Sequence, residues 1–155
     1  MTVLSAQSIR RLCINETPMI SPFTERGIVN GKSYGLSACT YDCRIAEDFV
    51  ILNCGGAILV STVERFNLPA NVCGSVLDKS SYARIFVSAF NTHLDTGWFG
   101  YLTVELVNLG NKIVRYRRGE PVCQIKFEWL DEPTDIPYCG KYQNQESGPQ
   151  PARYE

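Results

Sequence analysis

The sequence predicts a mainly β chain with one short N-terminal helix, and three observations carry that prediction. Apolar and β-branched residues recur with period two or in short runs, as in Ala57–Val63 and Val122–Trp129. Turn residues break these runs at Gly55-Gly56, Leu68-Pro69, Gly97, Asn108-Leu109-Gly110-Asn111 and Arg118-Gly119. Helical spacing is confined to the first dozen residues or so. Short strands at this spacing suit a closed or sandwiched β architecture.

Taken in order, Ser5 is placed to cap a helix from Ala6 to about Cys13, with Ile9 and Leu12 on one side. Pro18 and Pro22 bound an irregular stretch. Tyr41–Ile45 alternates, Ala57–Val63 is β-branched and apolar, and Val72–Leu77 and Ile85–Phe90 are short runs between turn residues. Val122–Trp129 alternates most cleanly. Cys123, Ile125, Phe127 and Trp129 face one way, and Gln124, Lys126 and Glu128 the other. Arg115, Arg117 and Arg118 read as a solvated basic turn. From Pro133 the periodic signal ends, and the polar, Gly- and Pro-containing segment from Tyr138 to Arg153 reads as a disordered end or as a flap over a ligand. No repeat or internal boundary is visible, so residues 1–155 read as a single domain with a tail of about 138–155.

Bulk properties narrow the function classes. A net charge of −1 argues against a general nucleic-acid binder, so an anionic ligand would need a local basic cluster. No apolar run approaches the roughly 20 residues that span a bilayer. Met1-Thr2-Val3-Leu4-Ser5 lacks a basic leader region, which makes a cytoplasmic location the expectation. The seven cysteines are odd in number, scattered, and form no C-x-x-C pair. Cys39 and Cys43 would lie about 13 Å apart on a strand. Buried, reduced thiols are therefore expected. The H-x-E and P-C-x-x-C signature of zinc deaminases is missing, so no zinc site is expected.

Two features point to chemistry. Glu105 is a lone carboxylate in the apolar run Tyr101–Val107, on the face of Thr103 and Val107 and opposite Leu102, Val104 and Leu106. Alternation by itself also permits an exposed glutamate on an edge strand. Lys79-Ser80-Ser81-Tyr82-Ala83-Arg84 supplies hydroxyls, backbone donors and a guanidinium suited to a polyanion, and would equally serve as an ordinary helix cap. Asp95 lies in a turn beside Thr96-Gly97, where aspartate is common for local reasons.

The ordered set of motifs resembles the dCTP deaminase and trimeric dUTPase superfamily, closest to its deaminase branch. It runs from Leu4-Ser5 and Ile9-Arg10 through Pro22-Phe23, Thr40–Ile45, Ser61–Arg65 and Leu68-Pro69 to Asp78–Arg84. It continues with Asp95–Gly100, Leu102–Leu106, Gly119 with Gln124, Lys141–Gln145, Gly148-Pro149 and Arg153. The resemblance implies a distorted jelly-roll, dUTPase-like β-clip assembled as a homotrimer with sites between subunits. It implies a deoxynucleoside triphosphate ligand, dCTP or dUTP, with Mg²⁺ on the phosphates.

By the same resemblance Glu105 is the general base and acid of cytosine deamination, a position that is apolar in most trimeric dUTPases. Ser80 and Arg84 would organise the attacking water, with Lys79 and Ser81 on the phosphate side. Asp95 would hold the sugar, Trp98 would pack near the sugar or the core, and Gln124 would lie near the phosphates. Tyr138, Lys141 and Gln145 would close on the ligand, with Arg153 a further flap contact. The stretch from Arg84 to Glu105 is two residues shorter than the family's, the difference falling at Asn91-Thr92-His93, and the run between Tyr138 and Lys141 is also shortened. His93 would either contact the base or fill a turn. Two other readings stay open: pyrophosphate release from dUTP or a related nucleotide through Asp95, alone or combined with deamination, and nucleotide binding without turnover.

Overall fold

The computed structural model describes residues 2–154, and they form thirteen strands and two short helices. The chain opens with β1 (Thr2–Val3), α1 (Ala6–Cys13), β2 (Ile20–Ser21), β3 (Gly27–Val29), β4 (Lys32–Leu36) and β5 (Thr40–Arg44). It continues through β6 (Phe49–Leu52), β7 (Ala57–Asn67), β8 (Val72–Asp78), α2 (Ser80–Ala83), β9 (Val87–Ala89) and β10 (His93–Leu94). It closes with β11 (Phe99–Asn108), β12 (Val114–Arg117) and β13 (Pro121–Trp129). Helix α1 starts directly after Ser5, as expected, but the Ser5 side chain makes no capping hydrogen bond; the helix buries Ile9 and Cys13.

One sheet runs β10-β8-β13-β5-β4-β3, and β1 takes the free edge at the end of β13. A second sheet runs β2-β7-β11-β9, and β12 pairs with β6. All of these pairings are antiparallel. The two larger sheets meet through aromatic packing. Phe66 on β7 lies 6.5 Å from Phe127 on β13 and 6.2 Å from Trp98. Phe127 is fully buried, and such burial contributes about 1.5–3 kcal/mol. Leu102, Val104 and Leu106 line the inner face of β11, as the period of two predicts.

The interior also holds charge. Glu64 is wholly buried and accepts hydrogen bonds from the Arg44 Nε at 2.7 Å and from the Arg44 backbone N–H at 2.9 Å. Burial pushes its carboxyl up from the usual carboxylate range, and the Arg44 contacts oppose that rise. Asp42 is buried against Lys79, so β5 is covered on both faces rather than on one.

Three expectations need correction. The run Ile85–Phe90 forms a strand only over Val87–Ala89, because Ile85 and Phe86 complete the turn after α2 and stay exposed. Phe86 adopts a φ of 62°, which no strand tolerates. Only four thiols are buried (Cys13, Cys43, Cys73 and Cys123). Cys39, Cys54 and Cys139 lie exposed in connecting segments, and all seven are free. Arg115 and Arg117 belong to strand β12, whose other face buries Val114 and Tyr116. Among the described residues, no helix is long and apolar enough to cross a membrane.

Candidate active site

The middle of β11 is shaped by an irregularity in its partner. Tyr101 opposes Arg65 and Thr103 opposes Ser61, so β7 advances four residues while β11 advances two. Thr62, inside this bulge, accepts the Leu102 N–H at 3.1 Å and donates to the Glu64 carbonyl at 2.7 Å. Ser61 accepts the Gly148 N–H at 3.2 Å and donates to Glu47 at 2.8 Å. The bulge thus gives the C-terminal tail a polar seat on its own chain.

That tail is ordered along β11. Gln145 pairs with Gly100, Tyr101 N–H donates to the Gln145 carbonyl at 2.9 Å, and the Trp98 indole donates to the Tyr142 carbonyl at 2.8 Å. The Gln143 side chain accepts the Phe99 N–H and donates to the Gly97 carbonyl. Gly100 allows this approach: a Cβ there would lie 2.7 Å from the Gln145 nitrogen and 2.9 Å from its oxygen, at a φ of 151°. Gly100→Ala is therefore expected to lift the tail. Limited proteolysis should show residues beyond Tyr138 becoming cleavable while the sheets stay resistant.

Between β11, the short strand β10 with the turn after it, and the tail lies a cavity of about 450 Å³. Glu105 enters it from β11, His93 from β10, Asp95 from the turn after β10, and Tyr138, Gln145 and Gln150 from the tail. Leu59, directly across β7 from Glu105, and Leu94 and Leu102 supply apolar wall. The Glu105 Oε2 is buried and has no hydrogen-bond partner among the described residues. Burial raises the Glu105 carboxyl from the ordinary range, against a smaller lowering by its own backbone N–H. A carboxyl raised by burial in a cleft is a candidate for proton transfer. His93 and Asp95 face each other with Nε2 and Oδ1 3.7 Å apart.

The structure brings together Glu105, His93, Asp95, Trp98, Tyr138 and Gln145 and leaves the other expected residues outside this cavity. Trp98 is mostly core, stacked on Phe66, with its edge on the cavity. Ser80 and Ser81 are exposed in α2, and Arg84 reaches back to the Ser80 carbonyl at 3.2 Å. The Lys79 ammonium pairs with Asp42 at 2.7 Å. Gln124 donates to the Asp78 carbonyl at 2.7 Å, and its carbonyl accepts from Thr40 at 3.2 Å. Lys141 is exposed beside Tyr142, and its carbonyl accepts from Arg153. Thr103 and Gln150 were missed. Thr103 carried a usable signal, since it shares the face of Glu105 two residues away. Gln150 carried none. Among the described residues, no group of three or more His, Cys, Asp and Glu is arranged to hold a metal ion.

Residues 38–130 match the family model described as dCTP deaminase-like. The chain is 32% identical to the dCTP deaminase of Campylobacter concisus over 89% of its own length and 91% of that protein's. It is 33% identical to the dCTP deaminase of Azotobacter vinelandii, with 94% and 96% covered. Its fold is similar to the 2′-deoxycytidine 5′-triphosphate deaminase of Agrobacterium tumefaciens, with a TM-score of 0.65 at 18% identity over 81% of this chain and 47% of that one. It is also similar to the native EIAV dUTPase, with a TM-score of 0.57 at 18% identity over 79% and 98%. A family model that spans most of the chain, and relatives nearly a third identical along almost all of it, make this protein a member of the dCTP deaminase-like enzyme family.

Proposed function

We propose that this protein hydrolytically deaminates a deoxycytidine nucleotide, dCTP giving dUTP and ammonia, with Glu105 as the general base and acid and no zinc. The observation that carries this reading is the buried, unpartnered Glu105 carboxyl oxygen inside a cleft large enough for a nucleoside. The ionised carboxylate takes a proton from water as the water oxygen bonds to C4 of the base. The proton then passes to N3. Glu105 next takes the proton of the C4 hydroxyl and delivers it to N4 as the C4 carbonyl forms and the C4–N4 bond breaks, so that ammonia leaves and the carboxylate is restored. Asp95, Tyr138 and Gln145 line the same cavity, which supports a role for Asp95 in holding the sugar and for the tail residues in closing on the ligand.

The phosphates and their Mg²⁺ enter as one substrate. Ser80, Ser81 and Arg84 stand exposed in a single chain, beside the exposed apolar residues Ile85, Phe86 and Leu109. In our reading a jelly-roll homotrimer buries those apolar side chains and carries the Ser80–Arg84 turn to a neighbour's cleft. There Ser81 and backbone N–H groups meet phosphate, while Ser80 and Arg84 orient the water. Lys79, through Asp42, and Gln124, through the Asp78 carbonyl, hold the start of that turn beside the phosphates. Lys141 would reach the phosphates from the tail of this cytoplasmic enzyme.

The dUTPase-like fold and the presence of Asp95 in the same cleft favour a second reading, pyrophosphate release from dUTP with Asp95 orienting the water. Incubation with dCTP or dUTP, with and without Mg²⁺, decides between them. The expected result is stoichiometric ammonia and dUTP from dCTP. Pyrophosphate without ammonia would establish the second reading, and tight binding without either product would remove both.

A further inference from the structure

Thr103 holds the tail at two points. Its Oγ1 accepts the Gln145 side-chain amide at 2.7 Å and the Gln150 backbone N–H at 3.0 Å. The other Gln145 amide hydrogen goes to the Tyr101 carbonyl at 2.9 Å, so this side chain is engaged by β11 through both of its hydrogens. Directly after Gln150, Pro151 and Ala152 form part of the wall of the cavity that Glu105 enters. Thr103 and Glu105 are two residues apart on one face of β11. One hydroxyl therefore links the anchoring of the tail to the surroundings of the carboxyl.

We propose that Thr103 is a positioning residue: its hydroxyl pins Gln145 and Gln150 to β11, so that Gln150–Ala152 keep bulk water from Glu105. The inference rests on Glu105 being the base, and Thr103 acts through it without touching the reacting atoms. The ionisable groups that line the cavity with Glu105 are His93 on β10, Asp95 in the turn after it, and Tyr138 and Tyr142 on the tail. Leu59 on β7 and Leu102 on β11 are neutral. None of the four titratable groups is hydrogen-bonded to Oε2, so dehydration is left as the dominant influence on that oxygen.

Thr103→Val keeps the β-branch and removes the acceptor, and Thr103→Ser restores it. Gln150→Pro deletes the donating N–H together with the side-chain contacts to the Gly148 carbonyl and Arg153, and comparison with Gln150→Ala, which loses only those side-chain contacts, isolates the same bond from the tail. Three measurements are needed on each protein: the pH profile of kcat/KM for dCTP, titration of Glu105 by carbon-13 carboxyl NMR, and limited proteolysis of the tail. For Thr103→Val and Gln150→Pro we expect KM to rise about tenfold. We also expect the acid limb and the Glu105 titration to move to lower pH as water reaches the carboxyl, and the tail to become cleavable. Thr103→Ser should return all three towards wild type. A tail that stays protected in Thr103→Val, or a released tail with an unmoved Glu105 titration, overturns the inference. If the unmodified protein yields no ammonia, the deaminase assignment falls, while the NMR and proteolysis arms still decide the role of Thr103.

Discussion

Glu105→Gln is expected to reduce ammonia release by roughly 10²–10⁴-fold while nucleotide affinity stays within about threefold. Glutamine matches glutamate in size and leaves the cavity wall intact, but it neither accepts a proton from water nor returns one. Single-turnover assays with equilibrium binding separate the two effects. Retained turnover in the variant would refute the assignment of Glu105.

The same residue sets a pH dependence whose sign is fixed by burial. A base must be ionised, so activity falls as pH drops through a carboxyl pKa that dehydration has raised. The acid limb should therefore lie above that of an ordinary glutamate. Stability runs the other way. A carboxyl with a raised folded-state pKa favours the fold below its unfolded pKa and loses that contribution as pH rises through the folded one. Ionised Glu105 thus weakens the fold at pH 7, and Glu105→Gln should be as stable as the wild type or more so, which a urea titration measures.

The second large effect concerns the interior. Arg44→Met leaves Glu64 buried among apolar neighbours with its Nε partner gone and only the Arg44 backbone N–H and nearby main-chain contacts remaining. Removing one member of a buried ion pair costs about 3–5 kcal/mol, against about 0–1 kcal/mol for a pair in water. For a chain of this size that corresponds to a fall in Tm of about 10 °C. The loss should shrink as pH is lowered. The Glu64 carboxyl already titrates above the usual range through burial, and without Arg44 it rises further, so protonation relieves the stranded charge. Replacing both residues by apolar ones should recover most of the deficit. A variant as stable as the wild type at pH 7 would mean that water or a rearranged donor satisfies Glu64.

The outward Glu105 and the inward Leu102, Val104 and Leu106 were legible because a strand alternates strictly and each side chain reports its own face. Val122–Trp129 was legible for the same reason. Ile85 and Phe86 were misread because a β-branched and aromatic pair carries strand propensity wherever it stands, and nothing local reveals that the turn after α2 ends on them. The buried state of Asp42 was also hidden, since its partner Lys79 comes thirty-seven residues later in the chain.

Residue types and their spacing were thus enough to establish a mainly β chain, its short first helix, a carboxylate out of place on an apolar strand, and membership of a deaminase-like family. Those properties are local or are carried by ordered motifs, and they need no knowledge of what packs where. The cleft itself belongs to the tertiary structure. The bulge opposite Tyr101 and Thr103, the seating of Gln145 and Gln150 on Thr103, and the meeting of His93, Asp95 and Glu105 join segments far apart in sequence. Such contacts depend on how two sheets and a tail dock, and burial of Glu105, the physical cause of its raised pKa, exists only once they have docked.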